Sequence, residues 1–150
     1  MKKYWILILI VFCSLIGQSQ NVSKLRPAMV VWQMNNEKIP LLEAKKGIAV
    51  KDSIEIEIFF NKVVYDNTVT SKEVTFEFRW YYYLSTRREL MKIEKISSDK
   101  LDNSIKNAYI LKSKMPTQTP GWWEVQIICS VDNGLLEWAN NNKFQILINK

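Results

Sequence analysis

The stretch Val74 to Leu84, VTFEFRWYYYL, limits what this chain can fold into more than any other. Strict alternation puts Val74, Phe76, Phe78, Trp80, Tyr82 and Leu84 on one face and Thr75, Glu77, Arg79, Tyr81 and Tyr83 on the other, the period of a half-buried strand. A helix is disfavoured because β-branched and aromatic side chains lose rotamer freedom against the preceding turn, whereas on a pleated surface they pack against neighbouring strands. Burying that inward row contributes on the order of 10 kcal/mol before conformational entropy is set against it. The remaining segments are what must cover this strand.

Several of them alternate in the same way. Ala28 to Met34 reads as a first strand, and Ile39 to Leu42 as a short edge or crossing segment, because Pro40 cannot donate to a ladder. From Ile48 to Phe60 the residues Ile54, Ile56, Ile58 and Phe60 face inward and Glu55 and Glu57 face solvent, with lysine or arginine on a neighbouring strand as their partners. Asn61 to Lys72 reads as a connecting loop. Glu89 to Ile96 fits a strand returning on the aromatic one as a hairpin. Ser97 to Asn107 is loop-like, Ala108 to Leu111 a short strand and Met115 to Pro120 a connector. Gly121 opens the second strongest strand, with Trp123, Val125, Ile127, Cys129 and Val131 inward. Asn133-Gly134 between apolar runs is a hairpin signal, since both turn residues take positive φ. A two-residue turn there sets Val131 opposite Leu136 and Cys129 opposite Trp138. Phe144, Ile146 and Ile148 close the sheet. Eight or nine short strands without a helix after the leader predict an all-β fold, an antiparallel β-sandwich of immunoglobulin-like architecture. The two cysteines bracketing a tryptophan that mark immunoglobulin domains are missing.

The first residues, MKKYWILILIVFCSLIGQSQ, carry two lysines, an apolar run and then small polar residues, which is the plan of an export signal. Gly17 and Ser19 place a cut after residue 19, so residues 1–19 are read as signal peptide, 20–27 as a lead-in and 28–150 as a single domain. An uncleaved anchor is the weaker alternative, because the run is shorter than the ~20 residues a span requires. So is a lipoprotein through Cys13, which follows Phe12 where a small residue belongs. The reading is an exported protein of the periplasm or cell surface with no integral span after cleavage. Losing Lys2 and Lys3 lowers the formal charge from +6 to +4, dispersed without a basic block, so nucleic acid is not an expected partner.

Cys129 is then the only cysteine and sits in an apolar strand, as a small core residue does. The chain has no histidine, which excludes Ser-His-Asp and Cys-His catalysis and removes the commonest zinc ligand. Its four glycines stand singly, so no phosphate-cradling loop exists. No metal or cofactor is expected, and no enzyme: only carboxylate-pair chemistry stays open, and 15 acids always supply some pair. Binding is the better expectation. Arg79, Tyr81 and Tyr83, with Arg87 and Arg88 and with Trp122 from the second aromatic strand, form the candidate surface. Tyrosine, tryptophan and arginine anchor protein partners, and flat rings also stack on sugars, so an envelope protein is the first expected partner and a glycan or peptidoglycan the alternative. The opposing reading is that these side chains only cover the second face of a sheet.

Gly121-Trp122-Trp123-Glu124-Val125, Asp132-Asn133-Gly134 and Phe144-Gln145-Ile146 resemble the closing strands of the exported bacterial family called domain of unknown function 2914. Arg79-Trp80-Tyr81-Tyr82 resembles its aromatic strand, although Phe78 stands where the family pattern has histidine. The likeness covers about half of the mature chain and implies an exported β-domain without assigned chemistry.

Overall fold

A computed structural model describes residues 24–34, 37–49, 53–69, 73–116, 119–131, 134–138 and 141–149. The leader, Cys13 and the Asp132-Asn133 part of the turn lie outside the described residues. Among the described residues eleven strands run in chain order: β1 (Lys24–Leu25), β2 (Met29–Met34), β3 (Glu37–Pro40), β4 (Ile48–Ala49), β5 (Ser53–Asn61), β6 (Val74–Tyr83), β7 (Arg88–Ser97), β8 (Ala108–Pro116), β9 (Gly121–Val131), β10 (Gly134–Trp138) and β11 (Lys143–Asn149). Two of them are only two residues long, which leaves nine longer strands. A helical turn α1 (Leu41–Ala44) and a short helix α2 (Lys62–Thr68) complete the described elements, with a 3-10 turn at Ser98–Lys100.

The strands form a seven-stranded and a four-stranded sheet. In the larger, β9 is the spine. β6 pairs antiparallel along it from Trp123 to Val131, with β7 outside β6. On its other side β11 takes Gly121 to Gln126 and β10 takes Cys129 to Val131. Short parallel pairings add β1 beyond β10 and β4 beyond β11. The smaller sheet runs β3-β2-β5-β8, antiparallel throughout. The architecture is therefore a β-sandwich.

Its core is the set of inward rows that alternation marks out. Ile54, Ile56, Ile58 and Phe60 of one sheet meet Val74, Phe76, Phe78 and Trp80 of the other, all buried. Trp32 and Trp80 join the sheets with ring centroids 5.9 Å apart, and Phe60 and Phe76 do so at 5.8 Å. Tilted ring pairs at these separations add to the area term. The Trp80 indole N–H donates to Ser113 Oγ at 2.9 Å, and Ser113 in turn donates to Glu94 at 2.7 Å, tying β6, β8 and β7 together. Cys129 lies in this core, and burial pushes its thiol up to about 12.

Several expectations are corrected. Ile48 to Phe60 is two strands in different sheets, β4 and β5. The connecting loop after Asn61 contains α2: the Asn61 side chain caps it by accepting the Val64 N–H at 3.2 Å, and Tyr65 packs its ring on Phe60 and Tyr109. Valines at 63 and 64 disfavour a helix, but tertiary contact of one buried tyrosine overrides weak propensity. Leu41 and Leu42 belong to α1, while Glu37–Pro40 is an edge strand as the proline requires. Strand β8 reaches Pro116, well past Leu111 and into the expected connector. Lys24 and Leu25, within the lead-in, pair with β10 and bury Leu25. Leu84 lies past the end of β6 and is exposed. In the last hairpin Gly134 pairs with Val131 and Leu136 with Cys129, two residues off the expected register. A slip of two keeps faces where a slip of one would flip them, so Trp138 still packs on the core beside Phe60 at 6.0 Å.

Candidate functional site

The candidate residues lie on the outer face of the seven-stranded sheet, and strand register decides which of them meet. Tyr81 of β6 is opposite Leu90 of β7 on one side and Glu124 of β9 on the other, and Glu124 is opposite Gln145 of β11. Tyr83 pairs with Arg88 at the hairpin end. These residues surround Glu124, which is only 3% exposed although it is a carboxylate on an outward row. Its burial is matched by donors. The Tyr83 hydroxyl donates to Oε2 at 2.8 Å, Arg88 Nη1 donates to Oε1 at 2.8 Å, and Gln145 Nε2 donates to Oε2 at 3.0 Å. A desolvated carboxylate is tolerable only when it is paired and bonded in this way. Arg88 also stacks over the Tyr81 ring, its guanidinium carbon 4.3 Å from the centroid. Burial, and then the bond to Glu124, raises the Tyr83 hydroxyl above its ordinary value of 10.

The six expected residues therefore do not form one patch. Tyr81, Tyr83 and Arg88 share the Glu124 cluster. Trp122 lies two residues before Glu124 on the same face of β9 and is 39% exposed. Arg79 stands one row away, opposite Ile93 and Gln126, and is held by Glu77, whose carboxyl Arg79 and then Lys95 draw below its ordinary value. Arg87 sits in the exposed hairpin turn, where its backbone carbonyl accepts the Leu84 N–H. Glu124 and Gln145 were not among the expected residues. The signal that finds them is register: a glutamate two residues from Trp122, opposite tyrosine on one strand and glutamine on the other.

Beyond Gln145 the face turns into a cleft of about 660 Å3 between β11 and α1, walled by Met29, Leu41, Leu42 and Phe144. Its buried ionisable group is Glu124, already engaged by three donors, so among the described residues no free buried polar group is left there to orient a ligand. Among the described residues no three of Asp, Glu and Cys stand close enough to hold a metal ion, and no helix is long and apolar enough to cross a membrane.

The opposite sheet carries a second buried carboxylate, which corrects the expectation of a solvated Glu55–Glu57 row. Glu57 is 3% exposed, with Lys112 at 3.3 Å from Oε1 and Lys38 at 3.2 Å from Oε2. The Lys38 approach is within ion-pair distance but outside hydrogen-bonding geometry. Glu55 is half-buried, and burial raises its carboxyl above 4.5. Val31, Phe59 and Ile110 form a small buried apolar cluster on the same face.

No family model and no curated protein matches the chain.

Proposed function

We propose that this chain is a non-catalytic, exported binding or assembly module of the bacterial cell envelope, taking a protein partner on the outer face of its seven-stranded sheet. The observation that carries the reading is the set held by Glu124. A guanidinium, a phenol ring and an open indole stand side by side, and the first two are fixed by a buried carboxylate before any partner arrives. Side chains ordered in advance lose less entropy on binding, and Trp, Tyr and Arg are the residue types that dominate protein interfaces. The envelope assignment draws on the leader and on the resemblance of the closing strands to exported β-domains; the non-catalytic part draws on the missing histidine.

A glycan site is the second reading, favoured by the exposed Trp122 ring. It is the weaker because Arg88 already covers one face of Tyr81 and Tyr83 is bonded to Glu124. Stacking on sugars needs uncovered rings, whereas a protein partner accepts a guanidinium-capped tyrosine as it stands.

The test is affinity purification of the tagged protein from envelopes of its own host in mild detergent, followed by mass spectrometry. One stoichiometric partner, lost with Trp122→Ala and Tyr81→Ala, is the expected result. Recovery of the chain without a partner, together with retention on polysaccharide that Trp122→Ala abolishes, replaces the protein reading with the glycan one.

A further inference from the structure

We propose that two copies of this chain pair edge to edge through β7, antiparallel and centred on Ile93. β7 is a ten-residue strand bonded to β6 along one side. The other sheet edges among the described residues are shorter or partly covered. β1 and β4 have two residues each, and β3 has four and runs into α1. β8 is capped by the Asp102–Ile110 bridge and by Lys92 Nζ on the Lys114 carbonyl at 2.7 Å. Among the described residues β7 is the longest strand with no strand on its outer side, and such a row of backbone groups is a template for another strand.

The phase of the ladder follows from one bond. The Leu84 N–H donates to the Arg87 carbonyl at 2.8 Å, and hydrogen-bonded pairs alternate in an antiparallel ladder. With the register shift between Trp80 and Tyr81, Lys92, Glu94 and Ile96 direct their backbone groups to β6. Ile93 and Lys95 direct theirs outward. Leu90, Met91 and Ile93 are also 47%, 47% and 50% exposed, apolar surface that a neighbouring strand would cover.

Charge selects the partner and the register. Two β7 strands meeting through their outward groups have three central registers, in which Lys92, Ile93 or Glu94 is opposite its own copy. The first sets ammonium on ammonium, and the third sets carboxylate on carboxylate. The middle one sets Ile93 on Ile93 and lays the Lys92–Glu94 ion pair of each copy, 2.9 Å within its own chain, head to tail against that of the other. Directly opposed unlike charges favour a cross-strand pair and like charges oppose it, so the strand is complementary to itself in that register. The irregularity beside Met91 limits the ladder to Met91–Lys95, and the two-fold axis closes the assembly at two copies because both long edges are consumed. A contact this small predicts weak, concentration-dependent association.

This pairing stands apart from the outer-face reading, since Trp122→Ala removes the proposed partner anchor and leaves the β7 edge unchanged. The experiment is sedimentation velocity on the purified protein from about 1 to 500 µM, a range in which weak association is visible. A monomer–dimer equilibrium is expected. Lys92→Glu and Glu94→Lys should each weaken it at least about ten-fold by setting like charges together, while an equimolar mixture of the two should associate as the unaltered chain does. Ile93→Cys should give a disulfide-linked dimer on mild oxidation, because two residues opposed in this way lie within bridging distance. A monomer throughout the concentration range overturns the proposal. So does Lys92→Glu with unchanged association, a mixture that stays monomeric, or Ile93→Cys that does not cross-link.

Discussion

Each sheet carries, on its outward face, a glutamate that is 3% exposed, and the two are held by opposite means. Glu124 is bonded by one guanidinium, one phenol and one amide, each aimed at a carboxylate oxygen. Glu57 has two lysines near it, both more exposed than the carboxylate they accompany. Planar or ring-borne donors with fixed directions order a surface, whereas ammonium groups on flexible stems only neutralise it. A site fit for recognition is therefore expected beside Glu124, and beside Glu57 only a screened sheet face.

The sharpest way to break this contrast is to remove the single cation of the first cluster. Arg88→Met keeps the stem over Tyr81 but leaves a buried carboxylate with two neutral donors. Loss of the charge partner of a buried ion is costly, and with Arg88 itself partly in solvent the expected loss is about 2–3 kcal/mol in urea unfolding. Tyr83→Phe removes one donor and leaves the charge pair, for an expected loss of about 1 kcal/mol. Lys112→Met should cost about 0.5–1 kcal/mol, less than the loss of Arg88, because Lys38 remains as a second cation beside the buried Glu57. Equal losses for Arg88→Met and Lys112→Met would show that the two carboxylates are held alike, and the case for a pre-ordered surface would fall.

Why one cluster was half legible in the sequence and the other was not follows from what alternation encodes. Period two assigns Ile54 to Phe60, Val74 to Trp80, Trp123 to Cys129 and Phe144 to Ile148 to the core, and all of these are buried. It assigns Glu57 and Glu124 only to the opposite face, and whether that face is covered depends on strands distant in sequence. Tyr83 and Arg88 were recognisable as neighbours because a hairpin joins them. Gln145 meets them through β9, a relation set by tertiary register alone. Likewise α2 rests on Tyr65 docking against Phe60 and Tyr109, a contact that no local pattern in Lys62–Thr68 reports.

The smallest expected effect separates the two faces by pH. On the larger sheet, Arg79 and then Lys95 hold the Glu77 carboxyl below 4.5, so in acid the unfolded chain takes up this proton first. Stability from Glu77 is thus complete above 4.5 and is lost as pH falls through the lower folded value. On the smaller sheet, burial holds Glu55 above 4.5 against the pull of Lys112, so the folded chain takes up this proton first. Its contribution is complete below 4.5 and is lost as pH rises through the higher folded value. Mild acidification from neutrality to 4.5 should therefore favour the Glu55 face, and further acidification should penalise the Glu77 face. Glu77→Gln should flatten the loss of unfolding free energy below 4.5, and Glu55→Gln should remove the gain above it. If both variants changed the same limb of the pH profile, the two outward faces would not differ electrostatically, and the contrast between ordered and merely neutralised carboxylates would have to rest on Glu124 alone.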